Sequence, residues 1–391
     1  MRSIKRQTGV HRTDEYPEWF RSGCFRSLLC PVPCPPCPSS GQVHAIHEAG
    51  DLGVAWVAGE SAAREIGYHE TMRVLITGIS GFVGQHLAEH LLAEHSEVEL
   101  FGLRRWRSEM PPVVAHVPAV RILEGDLLDA SSLARVLQAS HPDVVLHLAA
   151  SSSVAGSWDT PAEMVQVNVL GTLHLLEAVR QLSLETRIVL ACSAEAYGVV
   201  AETELPIRES QPFRPVSPYA VSKAAVDLLG YQYSQAFSLK TVRMRLFNHC
   251  GPRQSARFVV SSLARQVAEI EAGRRPARVL VGNLDVRRDF VDVRDAARAY
   301  WLAATRGDPG EAYNVAGGRA HSIREVLEQL VKLTDASVEV VSDPARIRPT
   351  EIPVLVGDAT RFREATGWRP QIAFEQTLAD TLDYWRTTLK A

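Results

Sequence analysis

The stretch M-R-V-L-I-T-G-I-S-G-F-V-G, residues 72 to 84, decides the fold. Val74, Leu75 and Ile76 form a run with no polar member, which suits a strand buried on both faces. Glycines follow at 78, 81 and 84, and behind them Leu87, Leu91 and Leu92 recur at helical spacing. Strand, glycine loop and helix in this order meet three needs of a bound pyrophosphate. They give a tight turn, close backbone approach, and a helix N-terminus aimed at the negative charge. Gly78, Gly81, Phe82, Val83 and Gly84 are therefore expected to cradle the phosphates of a dinucleotide.

Outward from this loop, strands and helices alternate. Strands are expected at Val98 to Leu103, Val120 to Leu123, Val144 to Leu148 and Arg187 to Cys192, with helices at Ser131 to Ala139 and Val165 to Leu182. Later strands are expected at Thr241 to Phe247 and Glu311 to Val315, the last returning to the same sheet. Apolar strands joined by amphipathic helices imply a parallel sheet covered on both sides, and right-handed crossovers make it doubly wound. The expected class is α/β, a Rossmann-type doubly wound parallel sheet over residues 72–247, with a smaller C-terminal α/β cap. The cap would comprise residues 248–310 and 317–391, set over the strand ends where ligands bind in such sheets.

The chain has 391 residues, 46% hydrophobic and 22% charged, with a formal net charge of -3. That balance argues against a nucleic-acid or anionic-membrane partner, which needs concentrated basic surface. No apolar run is long enough to span a bilayer, so a soluble, cytoplasmic protein is expected. Residues 1–71 are rich in Pro, Cys, Arg and Ser and show no periodicity; they are expected to be a disordered extension or a mis-assigned start. Cys24, Cys30, Cys34 and Cys37 have no zinc-like spacing and no interleaved histidine, so no metal is expected. Cys192 and Cys250 stand in apolar runs and read as buried thiols.

Chemistry concentrates at the strand ends. Arg104 and Arg105, at the end of the second strand, suit the 2′-phosphate of NADP where a carboxylate would suit NAD; solvated surface arginine is the plainer alternative. NADP(H) is therefore the expected cofactor, with NAD(H) possible. Asp126, beside Leu127, could meet the adenine, and Leu148, Ala149 and Ala150 would line the pyrophosphate side. Ser193 closes a strand. Downstream, V-S-P-Y-A-V-S-K gives Ser217 as a helix N-cap, Pro218 at the first helical position, and Tyr219 and Lys223 one turn apart on one face. The opposite stripe, Val221, Ala225 and Leu228, would pack on the sheet.

Glycine loop, upstream serine and Y-x-x-x-K together resemble the extended short-chain dehydrogenase/reductase family over residues 72 to 391. The resemblance implies that Tyr219 exchanges a proton with the sugar oxygen, Lys223 holds the nicotinamide ribose and lowers the tyrosine pKa, and Ser193 bonds the reacting oxygen. The stretches R-L-F-N-H-C-G-P-R-Q, V-G-N-L-D-V-R-R-D-F-V-D-V-R-D and R-P-T-E-I-P-V-L-V-G-D are similar to the branch that processes GDP-mannose. By that likeness Asn248 and Arg288 would contact the sugar diphosphate, Arg348 and Glu351 the nucleoside end, and Ser152 would be a further substrate-binding residue. The implied reaction is hydride transfer to C4 of GDP-4-keto-6-deoxy-mannose, giving GDP-rhamnose. The alternative is 4,6-dehydration of GDP-mannose, for which Glu195 would be the extra acid/base. The G-F-V-G loop, where dehydratases usually have G-Q-D-G, favours reduction; the Arg104-Arg105 pair leans the other way. A C4 epimerase and a catalytically silent dinucleotide-binding regulator are further alternatives. Family members often dimerise through a four-helix contact, so a homodimer or dimer of dimers, using the helix after Tyr219, is implied.

Overall fold

The computed structural model describes residues 71–106, 119–347 and 350–390. The expectation for residues 1–71 lies, except for Thr71, outside the described residues. Seven strands form the main sheet: β1 Met72–Thr77, β2 Val98–Arg104, β3 Val120–Glu124, β4 Val144–His147, β5 Arg187–Ser193, β6 Lys240–Leu246 and, after three strands of the cap, β10 Ala312–Val315. Their spatial order is β10-β6-β5-β4-β1-β2-β3, and every pairing is parallel. Strands are added on one side of β1 as far as β3 and then on its other side from β4, and this switch in order opens a crevice at the carboxyl ends of β1 and β4.

Period-two alternation divides the core into two layers. Val74 and Ile76 of β1, Leu146 of β4 and Val189 of β5 belong to one buried cluster, with Leu87 and Leu91 of helix α1 (Phe82–Glu94) and Trp301 from a helix further on. Leu75, Val145, Ile188 and Leu190 point the other way. There they meet Leu133 and Leu137 of α2 (Ala130–Ser140) and Leu175 and Leu176 of α3. Helix α3 enters as Pro161–Val165, passes a π turn at Gln166–Leu170 and continues as Gly171–Gln181. Each such leucine or isoleucine taken fully out of water contributes about 1.5–3 kcal/mol before the entropy cost is set against it.

Helix α4 (Pro218–Phe237) begins as the sequence indicates, with Ser217 Oγ accepting from the Ala220 amide at 3.1 Å and Pro218 in the first turn. Its buried face is not the apolar stripe Val221, Ala225, Leu228. Val221 and Leu228 are 48% and 58% exposed. The face against the sheet instead carries Ala220, Lys223, Ala224, Asp227 and Gly230. The cause is an ion pair: Asp227 receives Arg243 at 2.8 Å and Arg245 at 2.8 and 2.9 Å, both from β6. Gly230 also lets α4 approach closely, since a Cβ there would stand 2.5 Å from Leu190.

The cap has its own core. β7 (Asn248–Cys250), α5 (Val259–Glu271), β8 (Arg278–Val281), β9 (Arg287–Asp292) and α6 (Val293–Arg306) precede β10; α6, which carries Trp301, packs on the main sheet beside α1. After β10 come β11 (Ala320–Ser322), α7 (Ile323–Lys332), β12 (Glu339–Ser342), β13 (Val354–Leu355), α8 (Thr360–Thr366) and α9 (Phe374–Lys390). Leu263 and Val267 of α5, Leu327 and Leu330 of α7 and Leu378 and Leu382 of α9 enclose the third buried cluster with Val279 and Val281 of β8. β9 pairs with β7, β11 and β13, so one strand ties the chain leaving the main sheet to both later cap segments.

Candidate active site

A cleft of about 840 Å³ lies between the carboxyl ends of β1, β4, β5 and β6 and the cap. Gly78, Gly81, Phe82, Val83 and Gly84 line it at one end. Gly78 has φ +75°, and a Cβ on it would sit 2.8 Å from the Ala149 amide nitrogen. A Cβ on Gly84 would come within 2.7 Å of Ile79 Cα, so the turn requires glycine at both positions. Helix α1 has Gly81 as N-cap, no side-chain cap and no acidic residue in its first turn. Its leading amides and positive dipole end are therefore offered to an anion, which is what a dinucleotide pyrophosphate presents. Leu148 and Ala150 line the same end. Ala149 lies beneath Gly78 and donates its amide to Thr77 Oγ at 3.2 Å, locking the ends of β1 and β4 together.

Five expected cofactor contacts are not among the cleft-lining residues: Ala149, beneath Gly78, and Arg104, Arg105, Asp126 and Leu127. Arg104 is hydrogen-bonded to Glu124 on β3. Asp126 accepts the Leu128 amide at 2.9 Å, and Leu127 is buried. Arg104, Arg105, Asp126 and Leu127 stand at the carboxyl ends of β2 and β3, the side of the sheet to which a dinucleotide's adenosine would extend from the glycine loop.

Ser193, Tyr219 and Lys223, the residues expected to transfer the proton, meet on the cleft floor. Ser193, the last residue of β5, hydrogen-bonds Tyr219 and accepts the Glu195 amide at 3.2 Å. Lys223 Nζ donates to the Ala191 carbonyl at 2.6 Å and lies 6.0 Å from the Tyr219 ring centre. Burial pushes the Tyr219 phenol up to about 12, opposed by the Ser193 hydrogen bond. Burial also pulls the Lys223 ammonium down to about 8. Glu195, on the short 3-10 turn Ala194–Tyr197, is 9% exposed and faces the cleft.

The far end gathers the expected substrate residues. Ser152, Asn248, Arg288 and Glu351 all line the cleft. Asn248 Oδ1 is buried without a hydrogen-bond partner. Arg288 donates to the Ile352 carbonyl at 2.7 Å, and Glu351 accepts from Asn283 at 2.6 Å. Arg348 lies outside the described residues. The cleft also takes residues that sequence reasoning passed over: Asn283, Trp158, His249 and Tyr300. Asn283 stands within the V-G-N-L-D motif and was within reach of the pattern. Tyr300 sits mid-helix in an alanine-rich stretch, where nothing local distinguishes a cleft wall from core.

A glycine loop and a Ser-Tyr-Lys group lining one cleft define an enzyme of the extended short-chain dehydrogenase/reductase type. The chain belongs to the GDP-mannose 4,6 dehydratase family, whose model matches residues 75–381. It is 37% identical to the GDP-6-deoxy-D-mannose reductase of Pseudomonas aeruginosa, over 82% of this chain and 99% of that protein. It is 34% identical to a GDP-mannose 4,6-dehydratase of Vibrio cholerae, over 79% of this chain and 92% of that one. The solved structure of RMD from Pseudomonas aeruginosa complexed with NADPH superposes with a TM-score of 0.71 at 37% identity, covering 81% of this chain and all of the other.

Proposed function

We propose that this protein is an NAD(P)-dependent oxidoreductase that reduces the C4 ketone of GDP-4-keto-6-deoxy-mannose to give GDP-rhamnose, with NADPH preferred and NADH possible. The observation that carries the reading is Tyr219, a phenol held protonated by burial, hydrogen-bonded to Ser193 and set on the floor of the cleft that also takes Asn248, Arg288 and Glu351. The cradle formed by Gly78, Gly81 and Gly84 fits a dinucleotide, which when bound supplies the hydride. Tyr219 donates its proton to the C4 oxygen as the ketone becomes a secondary alcohol. Ser193 donates a hydrogen bond to that oxygen, and the Lys223 cation favours the phenolate that remains. At the far end, Asn248 supplies an amide to the diphosphate and Arg288 a guanidinium, while Glu351 suits the hydroxyls of a ribose.

Likeness to a reductase over nearly that protein's whole length supports this reading, as does the G-F-V-G loop. Glu195 facing the cleft is the observation that favours dehydration as the second reading, since eliminating water across C5 and C6 needs one more acid/base. The two are separated by incubating the protein with GDP-mannose and, separately, with the 4-keto-6-deoxy compound. Loss of NADPH absorbance only with the ketone is the expected result. Keto sugar formed from GDP-mannose without net cofactor consumption would establish the dehydratase instead.

The same reading makes the protein a homodimer or a dimer of dimers through α3 and α4. Val165 and Leu170 on one helical run, and Val221, Leu228 and Tyr231 on the other, are 40–58% exposed. Leu228→Glu should convert the dimer to monomer in sedimentation; a monomeric parent chain would remove the contact from the account.

A further inference from the structure

A cluster outside the catalytic group joins the two ends of the cleft. Arg253 lies in the loop after β7 and holds φ at +71°, a left-handed backbone that a residue with a side chain adopts at a cost. Its guanidinium reaches back to α1, donating to Glu89 at 2.7 and 2.5 Å and to His86 Nδ1 at 2.7 Å. His86 is buried, and its Nε2 donates to the carbonyl of Pro252 at 3.0 Å, so one ring accepts from Arg253 and holds the preceding residue. Burial keeps that ring neutral down to about 4, with the Arg253 cation adding to the effect, and the arrangement therefore persists through the physiological range.

The loop so fastened carries cleft residues at its other end. His249 stacks on Phe82, the first residue of α1, with ring centres 6.1 Å apart and planes 7° from parallel. Gln254 donates to the His249 carbonyl at 2.9 Å, closing the loop on itself. Asn248, next to His249, presents the buried, unpartnered Oδ1. Phe82 belongs to the phosphate cradle and Asn248 to the sugar-nucleotide end, so the position of one fixes the position of the other.

We propose that Arg253, clamped by His86 and Glu89, is a positioning residue that couples the two nucleotide sites. A ligand that orders the α1 N-terminus also orders the loop bearing Asn248, so the second ligand loses less chain freedom on binding. This rests on the reading of a GDP-linked substrate above. The test measures NADPH affinity by nicotinamide fluorescence with and without GDP, and GDP affinity alone by calorimetry. In the parent chain GDP should tighten NADPH binding about fivefold or more, the lower part of the range for coupled sites. Arg253→Ala should abolish that tightening while still binding each ligand, and Arg253→Lys should restore part of it. Glu89→Ala, at a half-exposed site, should reduce it and serves as the deciding variant if Arg253→Ala fails to fold. Unchanged tightening in Arg253→Ala, or in Glu89→Ala when it decides, overturns the proposal. So does a parent chain that binds both ligands without coupling. A parent chain that binds no GDP overturns the substrate reading and, with it, the coupling.

Discussion

Tyr219 and Lys223 have opposite responses to the same burial, and that sets the pH behaviour of the site. The phenol stays protonated to about 12 and is available as a donor throughout the working range. Lys223 titrates at about 8, below its ordinary 10.5, so its charge is lost as pH rises through 8. A mechanism that uses the cation should show kcat/KM falling above about pH 8, and a profile flat to pH 10 would remove the charge of Lys223 from the mechanism. The stability effect has the reverse sign. Between pH 8 and 10.5 the unfolded chain holds the proton that the folded one has released, so this group's contribution to stability rises with pH there. Tyr219→Phe should cost about 10²–10⁴ in kcat with NADPH binding little changed, measured by turnover and fluorescence titration together. Glu195→Gln divides the two proposed reactions: ketone reduction should survive it, whereas elimination should not.

At the scale of the element, α4 shows what the sequence could and could not tell. Its start was written in Ser217-Pro218, and both capping features form where those residues dictate. Its buried face was not legible, because hydrophobicity marked Val221, Ala225 and Leu228 while the sheet side is set by Asp227. The partners of Asp227 lie on β6, and no local pattern announces a pairing with Arg243 and Arg245. Replacing Asp227 by Ala would leave two guanidinium groups buried and unpaired, and should cost about 3–5 kcal/mol by denaturant unfolding. The glycine loop was legible for the opposite reason: its need for glycine is a property of backbone geometry within a few residues. Gly84→Ala should abolish NADPH binding, since the added methyl would meet the backbone of Ile79. Arg104 and Arg105 were legible as a pair, but the engagement of Arg104 with Glu124 on the neighbouring strand was not. Arg104→Asp should move the NADPH/NADH preference toward NADH, and an unchanged ratio would clear Arg104 of that role.

Across the whole molecule, the alternation of strands and helices was enough to give the sheet, its parallel sense and the position of the cleft. The cap was less legible. Its strands are two to six residues long, and β9 collects partners from β7, β11 and β13 across the sequence. The candidate substrate residues accordingly came from family likeness rather than periodicity, and the structure gathers Ser152, Asn248, Arg288 and Glu351 around one cleft.

The course of the chain bears on how the protein comes apart. After β6 the polypeptide builds the first part of the cap, returns to add β10 to the main sheet beside β6, and leaves again to finish the cap. Asp289, fully buried on β9, accepts the amides of Gly317 and Gly318 just after β10 and of Gly357 just after β13. Neither body can melt without withdrawing a strand or an anchor from the other. Heating should therefore give one calorimetric transition, in which the main sheet with its glycine loop and the cap are lost together, and limited proteolysis should release no stable fragment of the main sheet.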